Sequence, residues 1–197
     1  MKKNIITIGR EYGTGGQAVG EKLAEALNFT FYNKQLISNL ADKLMISESF
    51  IFNAEHSIPR RNIFQEFFPF WSNDANDQER YVFEEQGKFI RQLADEGNCV
   101  FAGRRADYYL RDYPNAVHLY FHAPLEKRIE RVVQTENLTP EQAAKKIEAT
   151  DRMRRNSYEY TTGRKWGDPH NYTLLIDSSA FTEEQIVSTI ADLIRNS

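Results

Sequence analysis

The run ITIGREYGTGGQAVGEKLAEAL, from Ile6 to Leu27, constrains the chain more than any other segment. Apolar strand-forming residues lead into a bend holding Gly13, Gly15 and Gly16, and then into Val19, Leu23, Ala26 and Leu27 at helical spacing. Glycine reaches backbone angles that let successive N–H groups converge, and a following helix aims its positive dipole end at the same point. Together these make a cradle for an anion, phosphate above all. A bare turn between strand and helix needs fewer glycines than Gly13, Gly15 and Gly16 supply. In the phosphate-loop pattern GxxxxGK[ST] a lysine follows the last glycine. Here Gly15 is followed by Gly16 and Gln17, so the lysine is missing and its charge must come from elsewhere.

The rest of the chain repeats the strand-then-helix alternation. Further strands are predicted over residues 29–32, 98–102, 116–122 and 172–177, beside a first strand over 4–9. Amphipathic helices are predicted over 16–27, 35–45, 80–94, 124–134, 140–158 and 183–194. Thr139-Pro140-Glu141 and Thr182-Glu183-Glu184 read as capped helix starts. The alternation predicts one α/β domain over 1–197, a five-stranded parallel sheet with helices on both faces. Residues 47–77, rich in Phe, Asn and Asp and interrupted by Pro59 and Pro69, read as an insert packed on that domain.

A chain of 197 residues, 41% of them hydrophobic, can bury one sizeable core. Its net charge of −3 gives no general attraction to nucleic acid or to an anionic membrane. The single cysteine, Cys99, lies in an apolar run and reads as a buried thiol in a reducing compartment. No window has the length of a membrane span, and the expected location is cytoplasmic. His56, His118, His122 and His170 have no metal-ligand spacing.

Gly13, Gly15 and Ala18 also match the dinucleotide fingerprint GxGxxG/A. That motif wants an acidic residue about 20 residues further on, where this chain has Asn33. The long turn REYGTGG suits a phosphate cradle better. Taken with FYNKQLI, VFAGRRADYYLRDYP, APLEKRIERVV and DRMRRNSYEYTTGRKWGDPHNYTLLIDSS, the glycine loop resembles the cytidylate kinase-like family, relatives of the nucleoside monophosphate kinases with the P-loop nucleoside triphosphate hydrolase-type fold. Set against a family loop of the form GxxGSGKGT, Gly13-Thr14-Gly15 matches GSG, Gly16 stands at the lysine, Gln17 adjoins it, and Arg10 takes the place of the first glycine. The resemblance implies transfer of the ATP γ-phosphoryl group to a nucleoside monophosphate, CMP or dCMP, with Mg2+ accompanying ATP. It also implies a lid over 137–170 that closes arginines on the nucleotides. A nucleotide-binding module with little turnover, and a kinase for another small molecule, remain open alternatives.

Phosphoryl transfer is mostly electrostatic positioning, so clustered cations are the candidates to replace the lysine. Arg152 and Arg155 share a helix face near the end of the lid helix, and Arg154 is expected to point partly away. Arg131, three residues after Arg128, lies where the resemblance puts an arginine beside the donor. Arg10 sits within the loop and either reaches the phosphates or pairs with Glu11. In GRRAD, Arg104, Arg105 and Asp107 follow a strand and resemble the family's acceptor-contacting segment; an ion pair at a helix start is the other reading. Gly13, Thr14, Gly15, Gly16 and Gln17 are the ATP-binding candidates. The magnesium ligands stay undetermined, with Thr14, or water held by Asp107 or Asp177, as options. Phe64, Phe67, Phe68 and Trp71 read as the core of the insert, with an acceptor lobe carrying Arg60 or Arg61, or a homodimer patch, as alternatives.

Overall fold

The computed structural model describes residues 2–33, 35–44, 47–49 and 74–197. Five strands, β1 (Ile5–Arg10), β2 (Thr30–Tyr32), β3 (Cys99–Ala102), β4 (Ala116–His122) and β5 (Leu174–Asp177), form one sheet in the order β2-β3-β1-β4-β5. Every pairing is parallel, with Ile5 opposite both Cys99 and Ala116. Helices α1 (Gly16–Leu27), α2 (Gln35–Leu44), α3 (Asp74–Asp95), α4 (Ala106–Tyr109), α5 (Leu125–Glu136), α6 (Pro140–Thr162) and α7 (Glu183–Arg195) join or follow these strands. This is a three-layer α/β fold, as the alternation predicts.

Strand residues alternate between the two faces, and each face is closed by a different set of helices. Ile5, Cys99 and Phe101 pack with Leu36, Leu40, Val82, Ile90 and Leu110 from α2, α3 and the end of α4. Ile6, Ile8, Val100, Leu119 and Phe121 pack on the other face with Val19 and Leu23 of α1 and Ile186, Ile190 and Ile194 of α7. A smaller cluster of Val132, Ala143 and Ile147 joins α5 to α6, with Tyr12 against it.

Boundaries differ from expectation where local hydrogen bonds outcompete strand pairing. The last strand starts at Leu174 rather than Tyr172, because the Tyr172 amide donates to Pro169 O across a short 3-10 turn. Helix α3 begins at Asp74, so the final residues of the predicted insert belong to it. Residues 50–73 of the insert, including Arg60, Arg61, Phe64, Phe67, Phe68 and Trp71, lie outside the described residues. Helix α4 has no counterpart in the predicted elements; its four residues are too few to carry a periodic signal.

Because β1 is central, the chain turns to β3 on one side of it and to β4 on the other, and a crevice opens at the carboxyl ends of these strands. The glycine loop follows β1, and the turn Gly103-Arg104-Arg105 follows β3.

Candidate active site

The glycine loop has the geometry of an anion cradle. Gly13 and Gly15 take positive φ angles of 83° and 75°, a region that strains other residues. Space also demands glycine at Gly15: a Cβ there would fall 1.9 Å from Nη1 of Arg131. Among the described residues, the amides of Gly13, Thr14 and Gly15 meet no acceptor. Thr14 shapes the loop from within, its buried hydroxyl donating to Glu11 O at 2.9 Å and accepting from the Gly16 amide at 3.4 Å.

Arg131 therefore lies directly against the loop. Its Nη1 donates to Glu183 Oε1 at 2.7 Å, and Glu183 is shared with Lys22 at 2.8 Å. Both donors hold the Glu183 carboxyl below its usual range, Lys22 foremost. Arg128, one turn earlier, is buried against Asp151 and faces the back of the loop.

A cleft of about 550 Å³ opens beside the loop, lined by Arg10, Gln17, Arg104, Arg105, Lys146 and Arg154 among others. Arg10 lies at its floor. Its Nη2 donates to Gln17 Oε1 at 3.4 Å, and its Nη1 lies 3.0 Å from where a Cβ on Gly103 would stand. Glu11 does not pair with it: that carboxylate accepts from the Ala123 amide and faces Arg128 at 3.5 Å. Among the described residues Arg10 has no carboxylate partner, and burial together with the charges of Arg154 and Arg104 lowers its pKa to about 9.

Three consecutive residues with positive φ, Gly103, Arg104 and Arg105, make the turn after β3. Two of them are not glycine, so the turn carries backbone strain of the kind stored at working sites. Arg105 is turned inward. Its guanidinium donates to Gln86 Oε1 of α3 at 3.3 Å and to Ser157 Oγ of α6 at 2.5 Å. Asp107 is also buried and accepts from the Tyr158 hydroxyl at 2.6 Å. Burial raises its carboxyl pKa, against the opposing bond from Tyr158. Arg105 and Asp107 thus tether α6 to the turn, while Arg104 lines the cleft with Arg10.

Helix α6 corrects one expectation. Ala143, Ile147, Asp151, Ser157 and Tyr158 form its buried face, and Arg154 belongs to that side. Arg154, expected to point partly away, lines the cleft and donates from Nη1 to Arg10 O at 3.1 Å. Arg152 instead lies on the outward face in an i,i+4 pair with Glu148 at 3.2 Å. Arg155 is exposed and rests over Trp166, 5.7 Å from the ring centroid. The clue was the apolar stripe through Ala143 and Ile147, which continues to Asp151 and Arg154 once those polar residues are read as buried partners.

Tyr158, Trp166 and Tyr172 also line the cleft. Tyr120 packs on Tyr172 with centroids 4.8 Å apart and edge-on to Trp166 at 5.7 Å. Gly9 lets these rings cross the end of β1, since a Cβ there would meet Tyr120 Cδ2 at 2.9 Å. Burial and the nearby Asp107 raise the Tyr158 and Tyr172 hydroxyl pKa values, so both rings stay neutral. Burial likewise pushes the Cys99 thiol up to about 12, which leaves it no nucleophilic role.

Cations, unpaired loop amides and flat rings together can hold phosphoryl oxygens and a planar base. Among the described residues, direct protein ligation of a divalent cation fits poorly. The Glu11, Asp107 and Asp177 carboxylates and the Thr14 hydroxyl are engaged by the Ala123 amide, Tyr158, Ser179 and Glu11 O respectively.

Comparison with known proteins agrees with this geometry. The model of the cytidylate kinase-like family matches residues 5–180. The chain is similar to a cytidylate kinase from Methanocaldococcus jannaschii, 27% identical, with 98% of each chain covered. It is similar in structure to an uncharacterized protein from Eubacterium ventriosum, with TM-score 0.73, 25% identity and both chains covered in full. A shikimate kinase from Bacteroides thetaiotaomicron, 11% identical with 98% of each chain covered, shares the fold at TM-score 0.56. With a cation-lined cleft beside a glycine loop on the kinase fold, and a family match that spans all five strands, the chain belongs to the cytidylate kinase-like family of P-loop phosphotransferases.

Proposed function

We propose that this chain transfers the γ-phosphoryl group of ATP to a nucleoside monophosphate, with CMP or dCMP the favoured acceptor. The observation that supports this most directly is the convergence of Arg10, Arg104 and Arg154 in a cleft beside the glycine loop. Like charges brought together under burial repel one another, and a dianionic phosphate relieves that repulsion. An acceptor offering only a neutral hydroxyl would leave it in place.

In this reading the amides of Gly13 to Gly16 bind the donor phosphates, and Arg131 lies at the donor side. Arg10, Arg104 and Arg154 hold the acceptor phosphate and meet the charge that develops on the moving group. An acceptor phosphate oxygen bonds to the γ-phosphorus as the bond to the β–γ bridging oxygen breaks, and the electron pair leaves on ADP. The acceptor oxygen is already ionised at neutral pH, so no general base is required. Magnesium bound with ATP would neutralise part of the phosphate charge.

The test is a coupled assay with Mg-ATP and a panel of nucleoside monophosphates, with glycerol and glucose as uncharged hydroxyl acceptors, alongside ATP binding by calorimetry. Turnover on CMP or dCMP above the other acceptors is expected. Turnover only on a hydroxyl acceptor would make the chain a kinase for another small molecule. ATP binding without turnover on any acceptor would make it a nucleotide-binding module.

A further inference from the structure

The lysine-free loop is braced from behind, and the brace is a buried ion pair contributed by two different helices. The Tyr12 amide donates to Asp151 Oδ1 at 2.7 Å, and Arg128 Nη1 donates to Tyr12 O at 3.3 Å. Arg128 Nη1 also donates to Asp151 Oδ2 at 2.5 Å. One arginine and one carboxylate, bonded to each other, thus occupy both backbone groups of the residue before Gly13. Arg128 is further fixed by its Nε donating to Ala123 O at 3.1 Å, and both members of the pair are buried. Gly13 rests on the same helix, since a Cβ there would lie 3.0 Å from Arg128 O.

A loop whose own amides await a ligand must be held open by bonds from outside it. Otherwise the amides turn inward, and the ligand must order them when it binds. We infer that Asp151 and Arg128 are positioning residues: the pair presets the Tyr12 peptide, and through it the Gly13–Gly16 cradle, for the donor triphosphate. Neither contacts the reacting atoms. Helix α6 consequently acts over Asp151 to Tyr158 as a fixed rear support of the loop, with Arg154 adding its bond to Arg10 O.

This inference rests on the proposed nucleotide binding, and the experiment separates the two. ATP affinity by calorimetry, KM for ATP and for the acceptor, and Tm are measured for the wild type, Asp151→Asn, and the double variant Asp151→Leu with Arg128→Met. The single variant leaves Arg128 buried with only the Glu11 carboxylate, 3.5 Å from its Nε, as counter-charge and should lower Tm. The double variant removes both charges into apolar volume and should recover most of that loss. Both should bind ATP at least tenfold more weakly, with the acceptor KM within about threefold of wild type. ATP affinity within twofold of wild type in the double variant would overturn the positioning role and leave the pair purely structural. Wild-type protein that binds no ATP would remove the underlying reading and this role with it.

Discussion

At the scale of single residues, the cleft is decided by which face of α6 a side chain occupies. Arg152 and Arg154 are two positions apart, yet the first pairs with Glu148 in solvent and the second reaches the backbone of Arg10. Replacing Arg154 with Ala should lower kcat/KM by roughly 10²-fold, as expected for one preorganised charge donor. Replacing Arg152 should change it by less than about threefold, since an exposed i,i+4 pair is worth only a few tenths of a kcal/mol. Steady-state kinetics on the two variants checks this, and the reverse order would return the catalytic assignment to the outward face. The glycine loop itself was readable in sequence because glycine's steric freedom is intrinsic. Arg154 was not, because its partner, the Arg10 carbonyl, is 144 positions away, and only packing shows which polar residues are buried.

At the scale of elements, the starts of α6 and α7 carry complete capping boxes, Thr139 with Gln142 and Thr182 with Gln185. Thr139→Ala should cost about 1 kcal/mol locally. Since the middle of α6 is tied to the rest of the molecule through Asp151, Ser157 and Tyr158, the loss should stay in the first turn. Hydrogen exchange should show lost protection near Gln142 and Ala143 with Tm lowered by no more than about 4 °C. A cooperative collapse of the whole helix would contradict the idea that its middle is a fixed support. Cap signals are legible in sequence because the bonds involved span three residues. The tethers to Arg105 and Asp107 are not, since they join residues about 50 apart.

At the scale of the whole molecule, acid stability reports on the seam where β4 meets β1 and β5. His118 shares a 2.8 Å hydrogen bond between its Nδ1 and Thr7 Oγ1, and its backbone amide donates to Thr173 Oγ1 at 3.1 Å. Burial, with Arg164 and Lys3 adding repulsion, lowers its pKa to about 4. An imidazole held neutral in the fold binds its proton more readily in the unfolded chain. Its contribution is therefore complete above pH ~6.5 and is lost as pH falls towards 4. Between pH 7 and pH 5 this amounts to about 2 kcal/mol. Urea unfolding at the two pH values should show that loss in the wild type, and a smaller one by about that amount in His118→Asn. Equal losses would place the acid sensitivity in the carboxylates instead. By itself the sequence determined the layers, the strands and the glycine loop, because periodicity, capping and glycine conformation are local properties of neighbouring residues. Only the tertiary structure decided how the cations are divided. Arg10, Arg104 and Arg154 meet in the cleft, Arg105 and Arg128 are buried as braces, and Arg152 is left in solvent. Charge carries no sequence signature of where it will be desolvated, and that is set by contacts between segments far apart in the chain.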